Sequence, residues 1–475
     1  MLTPIKTRGR RKRSWTPSDG VSKPIPSGPK GGRPMMSLRT KQANSQSSNK
    51  RARLVAQIAL PKPRKNLSRL ESLPVELIEK IFLYSLNVNL PRSSRFLAAA
   101  LSSERIYRAL TLLAFWDDSS ARDSGEAPET AKSIELAAAT EAGATKILRL
   151  LRPLEYVPLF QDERRSLQAS VLRCRWCTIE RLLSHLPDLV RLVIQRHWLN
   201  VDITMASDLE DTLCLFLAQK GDTCSFQGTD TNSNHYTMTI EPLVSLTISC
   251  LESEQQTTHR ILGILQIPDR FLSGTDKGFN EPHVRFLEIL RLASGFNRLE
   301  PSTATEIALS REAIQQGVHT ALIEHNADAL TTLLKIDEYT FRSENTSAIQ
   351  TLPYMLPPEH FRTAVRVARD DPSLFQLLLR ASAESVPADD SEITQWAMDL
   401  DDAFGPWLLD FMLQLPQRIE AAKNEPIEGP IFYFGRANSR ISIAQRYLRD
   451  VLGLEEMAGW MEEKLLNLSS EWMIE

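Results

Sequence analysis

The sequence predicts an all-α protein led by a long disordered arm. Three observations carry that expectation. From Leu70 onward, apolar residues recur at the i, i+3, i+4 spacing of amphipathic helices, and strand signals are weak. Proline punctuates the helical patterns at Pro153, Pro158, Pro187, Pro268, Pro301, Pro357-Pro358, Pro372, Pro387 and Pro416. Charge is sharply segregated: residues 1–66 hold 17 Lys or Arg and one acid (Asp19), whereas the rest holds 39 Lys or Arg and 58 acids.

The arm comes first. Residues 1–66 are poor in apolar side chains and rich in Pro, Gly, Ser, Lys and Arg, as in Pro24 to Gly32. Such a segment buries too little apolar surface to offset a chain entropy of roughly 1–2 kcal/mol per residue. Arg8, Arg10, Arg11, Lys12 and Arg13 form its densest basic cluster, with looser ones at Lys50 to Arg53 and Lys62 to Lys65. Short basic runs on a flexible arm suit the acidic grooves of nuclear import receptors, and the expected location is nucleus and/or cytoplasm. The same charge attracts nucleic acid, weakly and without sequence preference.

Residues 67–120 form the second region. Leu73 to Leu86 read L-P-V-E-L-I-E-K-I-F-L-Y-S-L. Pro74 can open a helix and Ser72 can cap it. Leu77, Ile78, Ile81 and Phe82 then give one apolar stripe, with Glu76, Glu79 and Lys80 beside it. Leu90-Pro91 suggests a second proline-opened helix. Ser102 or Ser103 caps a third, whose apolar face is Ile106, Leu110, Leu113 and Ala114.

Leu73, Pro74, Glu76, Leu77, Ile81, Phe82 and Leu86 together resemble the opening of an F-box, and the likeness covers roughly Leu70 to Trp116. The family's Cys-Lys-x-Trp-like segment is absent from the last helix, a form that resembles F-box proteins of filamentous fungi. The resemblance implies a three-helix module that docks on the adaptor subunit of an SCF-type cullin ubiquitin ligase. Leu73, Pro74, Leu77, Ile78, Ile81 and Phe82 are the adaptor-binding candidates. The chain would then be a non-catalytic substrate receptor holding an unknown target protein. Two rival readings are a nuclear interaction scaffold and a nucleic-acid-binding protein led by the arm.

After a linker at 121–130, residues 131–475 are expected to form a helical, repeat-like target-binding region. One template recurs: an apolar residue, a small or apolar residue three or four later, a polar break, then a leucine pair. It starts at Ile134, Leu167, Val318, Phe361 and Ile393. Starts 33, 43 and 32 residues apart resemble degenerate ankyrin-like repeats, although the family's Thr-Pro-Leu-His turn is absent and Thr204 to Leu299 fit poorly. Gly221 to Tyr236 read as the longest loop.

Candidate chemistry is sparse. Cys174-Arg175-Trp176-Cys177 reads as mid-helix and lacks the second ligand pair that zinc needs, so structural cysteines are expected. Five cysteines make no disulfide scaffold, which points to an intracellular chain with reduced thiols. No apolar run nears the roughly 20 residues that span a bilayer, and no leader pattern stands at the start. The eight histidines lack H-E-x-x-H spacing, and no nucleophile elbow or phosphate loop occurs. Asp370-Asp371, Asp389-Asp390 and Asp401-Asp402 look like helix caps. No cofactor, metal or membrane partner is expected.

Overall fold

The computed structural model describes residues 68–116, 159–198, 203–219, 223–253, 255–274, 278–296, 307–345, 354–368, 370–423 and 465. The basic arm, the linker and the first repeat template lie outside them. Among the described residues no helix is long and apolar enough to cross a membrane.

Helices α1 (Val75–Ser85), α2 (Leu90–Ser93), α3 (Arg95–Ala100) and α4 (Glu104–Phe115) come first. Pro74 sits just before α1, and its carbonyl accepts from Leu77 N at 3.0 Å and Ile78 N at 3.1 Å. Ser72 does not cap this end; its hydroxyl donates to Arg69 O at 2.7 Å. Ser94 caps α3 and Ser103 caps α4, accepting from Leu97 N and Ile106 N. Ile78, Phe82, Leu97, Leu101, Ile106 and Leu110 fill the space between the helices.

The body begins with α5 (Gln161–Leu172), α6 (Ile179–Ser184) and α7 (Leu186–His197), the last with Pro187 in its first turn. A five-stranded antiparallel sheet follows, which corrects the all-α expectation. Strands β1 (Thr204–Met205), β2 (Cys224–Thr229), β3 (His235–Glu241), β4 (Ser245–Cys250) and β5 (Gln256–Arg260) run in sequence order, with helix α8 (Ser207–Gln219) between the first two. The supposed loop at 221–236 is largely β2 and a tight turn. Asp230 holds that turn through Asn232 N at 2.8 Å and Asn234 N at 2.9 Å. The sheet forms because Phe226, Met238, Ile240, Leu246 and Ile248 alternate with Ser and Thr, so one face is apolar and buried.

Helices resume with α9 (Asp269–Leu272), α10 (Glu281–Ala293), α11 (Arg311–Ile323) and α12 (Ala327–Asn345). They continue with α13 (Pro358–Ala368), α14 (Ser373–Ala381), α15 (Ser391–Asp399) and α16 (Phe404–Lys423). Consecutive members pair, α11 packs on α13 and α13 on α15, while α12 packs on both α10 and α14. The template residues Val318, Ala321, Leu333, Leu334, Phe361, Ala364, Leu378, Leu379, Ile393, Ala397 and Leu408 are buried in these seams, and Leu377 and Leu409 are half-buried against them. Gly317 lets α11 approach the end of α9, since a Cβ there would stand 1.8 Å from Leu272 O. Pro416 is an exception to the punctuation rule, lying inside α16. Asp371, Asp390 and Asp402 each accept main-chain N–H groups at the starts of α14, α15 and α16, as caps do.

Candidate partner-docking face

Helix α1 is apolar on two sides. Ile78 and Phe82 turn inward and are 0% and 1% exposed, with Leu83 beside them. Leu77, Ile81 and Tyr84 follow the i, i+4, i+7 line on the other side and are 44%, 41% and 43% exposed. Val75 and Pro74 are exposed at the start of the helix, and Leu73 is half-buried against the core. Phe96 on α3 is exposed as well. The stripe expected from the sequence therefore splits. Ile78 and Phe82 are core residues and leave the set of docking candidates, because no partner can touch them without opening the module. Tyr84 joins that set. Its signal was present in the sequence as the third member of the Leu77, Ile81 line.

The polar neighbours hold the module's own geometry. Glu79 accepts from Ser103 at 3.2 Å and faces Arg105 at 3.7 Å, which ties α1 to the start of α4. Glu71 accepts from Ser68 N at 2.7 Å, and a Ser94 hydrogen bond holds its carboxyl below the usual range. Glu76 and Lys80 are exposed.

The module has four helices rather than the expected three, and the last, α4, is not free. Residues 109–116 of α4 and its end are all buried. Gln168 of α5, itself fully buried, donates to Ala114 O at 3.1 Å and Gly263 O at 2.8 Å, and accepts from Leu265 N and Gln266 N. Arg164 reaches Trp116 O at 2.9 Å, and Gly263 N donates to Phe115 O at 2.8 Å. Arg108 pairs with Asp188 of α7 at 2.6 Å. The helix is thus the joint between the module and the body, and the open apolar side chains of the module lie on α1 and α3.

The C-x-x-C pair belongs to this joint too. It lies in the turn between α5 and α6, not within a helix. Trp176 stacks on Tyr107 of α4 with centroids 4.5 Å apart, and Arg181 lies over the same Tyr107 ring. Cys174 Sγ donates to Ser170 O at 3.2 Å. Burial pushes the Cys177 thiol up to about 12, with Cys174 adding to the shift, so the pair is protonated and unreactive at neutral pH. Among the described residues no group of three or more His, Cys, Asp or Glu could hold a metal ion. The import-signal candidates Arg8, Arg10, Arg11, Lys12 and Arg13 lie outside the described residues.

No protein-family model, curated protein or solved structure matches this chain.

Proposed function

We propose that the chain is a non-catalytic receptor of the F-box kind, which docks on the adaptor of a cullin-type ubiquitin ligase through α1. The observation that carries this reading is the uncovered Leu77, Ile81, Tyr84 line at the start of a Leu-Pro-led helix. Large apolar side chains left in water are costly unless a partner covers them, and a few such anchors supply most of an interface's energy, roughly 2–4 kcal/mol each. The stacked helix pairs from α9 to α16 fit a degenerate ankyrin-like array that holds a target protein. Catalysis is then by proximity: the receptor raises the target's effective concentration near a conjugating enzyme. The basic arm is read as an import signal for this receptor.

A second reading, an interaction scaffold with no ligase partner, draws on the burial of α4 in the body. Co-purification separates the two. The double variant Leu77→Asp, Ile81→Asp should lose the adaptor while keeping the wild-type circular dichroism. Adaptor retained by the folded double variant, or absent from the wild type, would leave only the scaffold.

A further inference from the structure

The two edges of the sheet are unequal. At one edge β1 covers Gly228 and Thr229 of β2, and α8 packs on β2 with Phe216 edge-on to Phe226 at 6.1 Å. The backbones close tightly there, for a Cβ on Gly228 would fall 2.7 Å from Thr204 O and 2.5 Å from the Trp198 ring. At the other edge β5 has β4 on one side, and Gln256, Thr257 and Thr258 are exposed.

Ladder parity says which groups face outward. Leu251 N donates to His235 O, and Cys250 N donates to Gln255 O. Antiparallel strands alternate hydrogen-bonded and non-bonded pairs, and each residue turns both main-chain groups to one side. Residues 255, 257 and 259 therefore turn to β4, while Gln256 and Thr258 turn their N–H and C=O away from the sheet. No hydrogen bond from another described residue reaches those main-chain groups. Open edges in folded proteins are normally guarded by Lys, Pro, a bulge or a cover. From Gln255 to His259 this edge has no Lys, Arg, Asp, Glu or Pro; Arg260, which turns outward by the same parity, is the one charged residue of β5 and stands at its end, and His259 is stacked on His197 at 3.6 Å.

The register also supplies specificity. Ser225, Thr239, Thr247 and Thr258 form one row across four strands, and Gln227, Thr237, Ser249 and Gln256 form the next. Hydroxyls meet along the first row, Ser225 with Thr239 at 2.9 Å and Thr247 with Thr258 at 3.4 Å. Both rows end on β5 at Gln256 and Thr258, whose main chain faces outward.

We propose that β5 is a docking edge for an extended, uncharged segment of a partner protein, which adds as a sixth strand and places Thr, Ser, Gln or Asn opposite Thr258 and Gln256. Main-chain hydrogen bonds supply the affinity and the continued side-chain rows supply the choice of sequence. A second copy fits less well. Pairing β5 with itself about Thr258 would engage one short strand per chain, well under the ~1,000 Å² of a specific interface between folded proteins. This inference goes beyond the adaptor reading and does not depend on it.

The test uses the full chain and a fluorescein-labelled probe peptide, Gly-Thr-Val-Thr-Val-Gln-Thr-Gly, followed by anisotropy. The expected result is saturable binding that weakens at least ~tenfold in Thr258→Pro, which deletes an outward N–H and leaves the β4 ladder whole. Should that variant lose its circular dichroism, Thr258→Lys guards the edge with a charge and should weaken the probe likewise. The proposal is overturned if the wild type does not bind the probe, or if the folded variants bind it unchanged. It is also overturned if sedimentation finds a wild-type dimer that Thr258→Pro or Thr258→Lys makes monomeric, which would give the edge to a second copy.

Discussion

Helices α1 and α12 break the usual rule of burial in opposite directions. The first leaves Leu77, Ile81 and Tyr84 in water. The second buries Lys335, Asp337 and Glu338 completely, in a run where every residue from 329 to 339 is buried. What decides the outcome is the supply of partners. Helix α12 lies between α10, α11 and α14, and polar groups meet it there. Asp337 accepts from Tyr354 at 2.6 Å, Gln315 at 2.8 Å and Arg311 at 3.1 Å. Thr332 donates to Glu288, which is itself forked to the buried Arg291 at 2.6 and 2.7 Å. Helix α1 has neighbours on one side only, so its second apolar line has nothing within the described chain to cover it. Buried charge with partners points to a fixed interior, and exposed apolar surface without partners points to a binding face.

The contrast is broken most severely by removing a partner inside α12. Asp337→Ala leaves the buried Tyr354 hydroxyl and the half-buried Gln315 amide without their acceptor. A loss of about 3–5 kcal/mol is expected from urea unfolding. A change under about 1 kcal/mol would mean that the carboxylate is incidental.

Next comes the inner side of α1. Phe82→Ala should cost about 3–4 kcal/mol, as truncating a buried aromatic does, whereas Ile81→Ala one residue earlier should cost far less. Equal losses from the two would erase the division of α1 into two faces.

A smaller effect comes from titration between the helix pairs. His360 of α13 is buried, with its Nε2 2.6 Å from Gln315 Oε1 of α11. Burial, helped by His319, pushes its imidazole down to about 4. The unfolded chain therefore takes up the proton first. Stability is full above pH 6.5 and falls as pH drops toward 4, by about 3 kcal/mol at most. Glu384 has the opposite sign: burial raises its carboxyl to about 7, so its share is full below pH 4.5 and is lost as pH rises through 7. Thermal unfolding of His360→Gln across this range should flatten the acid limb, and Glu384→Gln the other. A wild-type acid limb unchanged in His360→Gln would refute the assignment.

The helices of this chain were legible because their signals are local. Ser103, Asp390 and Asp402 at helix starts, Pro91, Pro187 and Pro358 in first turns and the leucine pairs of the described templates fell where the backbone needs them, whereas Ser72 does not cap α1 and Pro416 lies inside α16. The sheet was not, although Thr237-Met238-Thr239-Ile240 and Ser245-Leu246-Thr247-Ile248 alternate strictly. Its strands are short and paved with Ser and Thr, so they read as polar loop until neighbours bury the alternate residues. The candidate site was half legible. The motif found α1, but a pattern of Leu77, Ile78, Ile81 and Phe82 is wider than one face, and only packing on α3 and α4 decides which line goes inside. The role of Trp176 against Tyr107 was hidden altogether, since those residues stand 69 positions apart in the chain.

The smallest expected effect on stability is the most informative about function. Leu77→Ser removes an apolar side chain that is 44% exposed, one position before the buried Ile78. More than half of its surface leaves water on folding, so the cost should be about 1–2 kcal/mol, well below that of truncating the buried Phe82. Adaptor binding, measured on the same sample, should nevertheless fall by roughly tenfold or more if Leu77 is an anchor. A folded variant that holds the adaptor as well as the wild type would mean that the open line of α1 is surface without a partner. A variant destabilised by several kcal/mol would mean that the line is core.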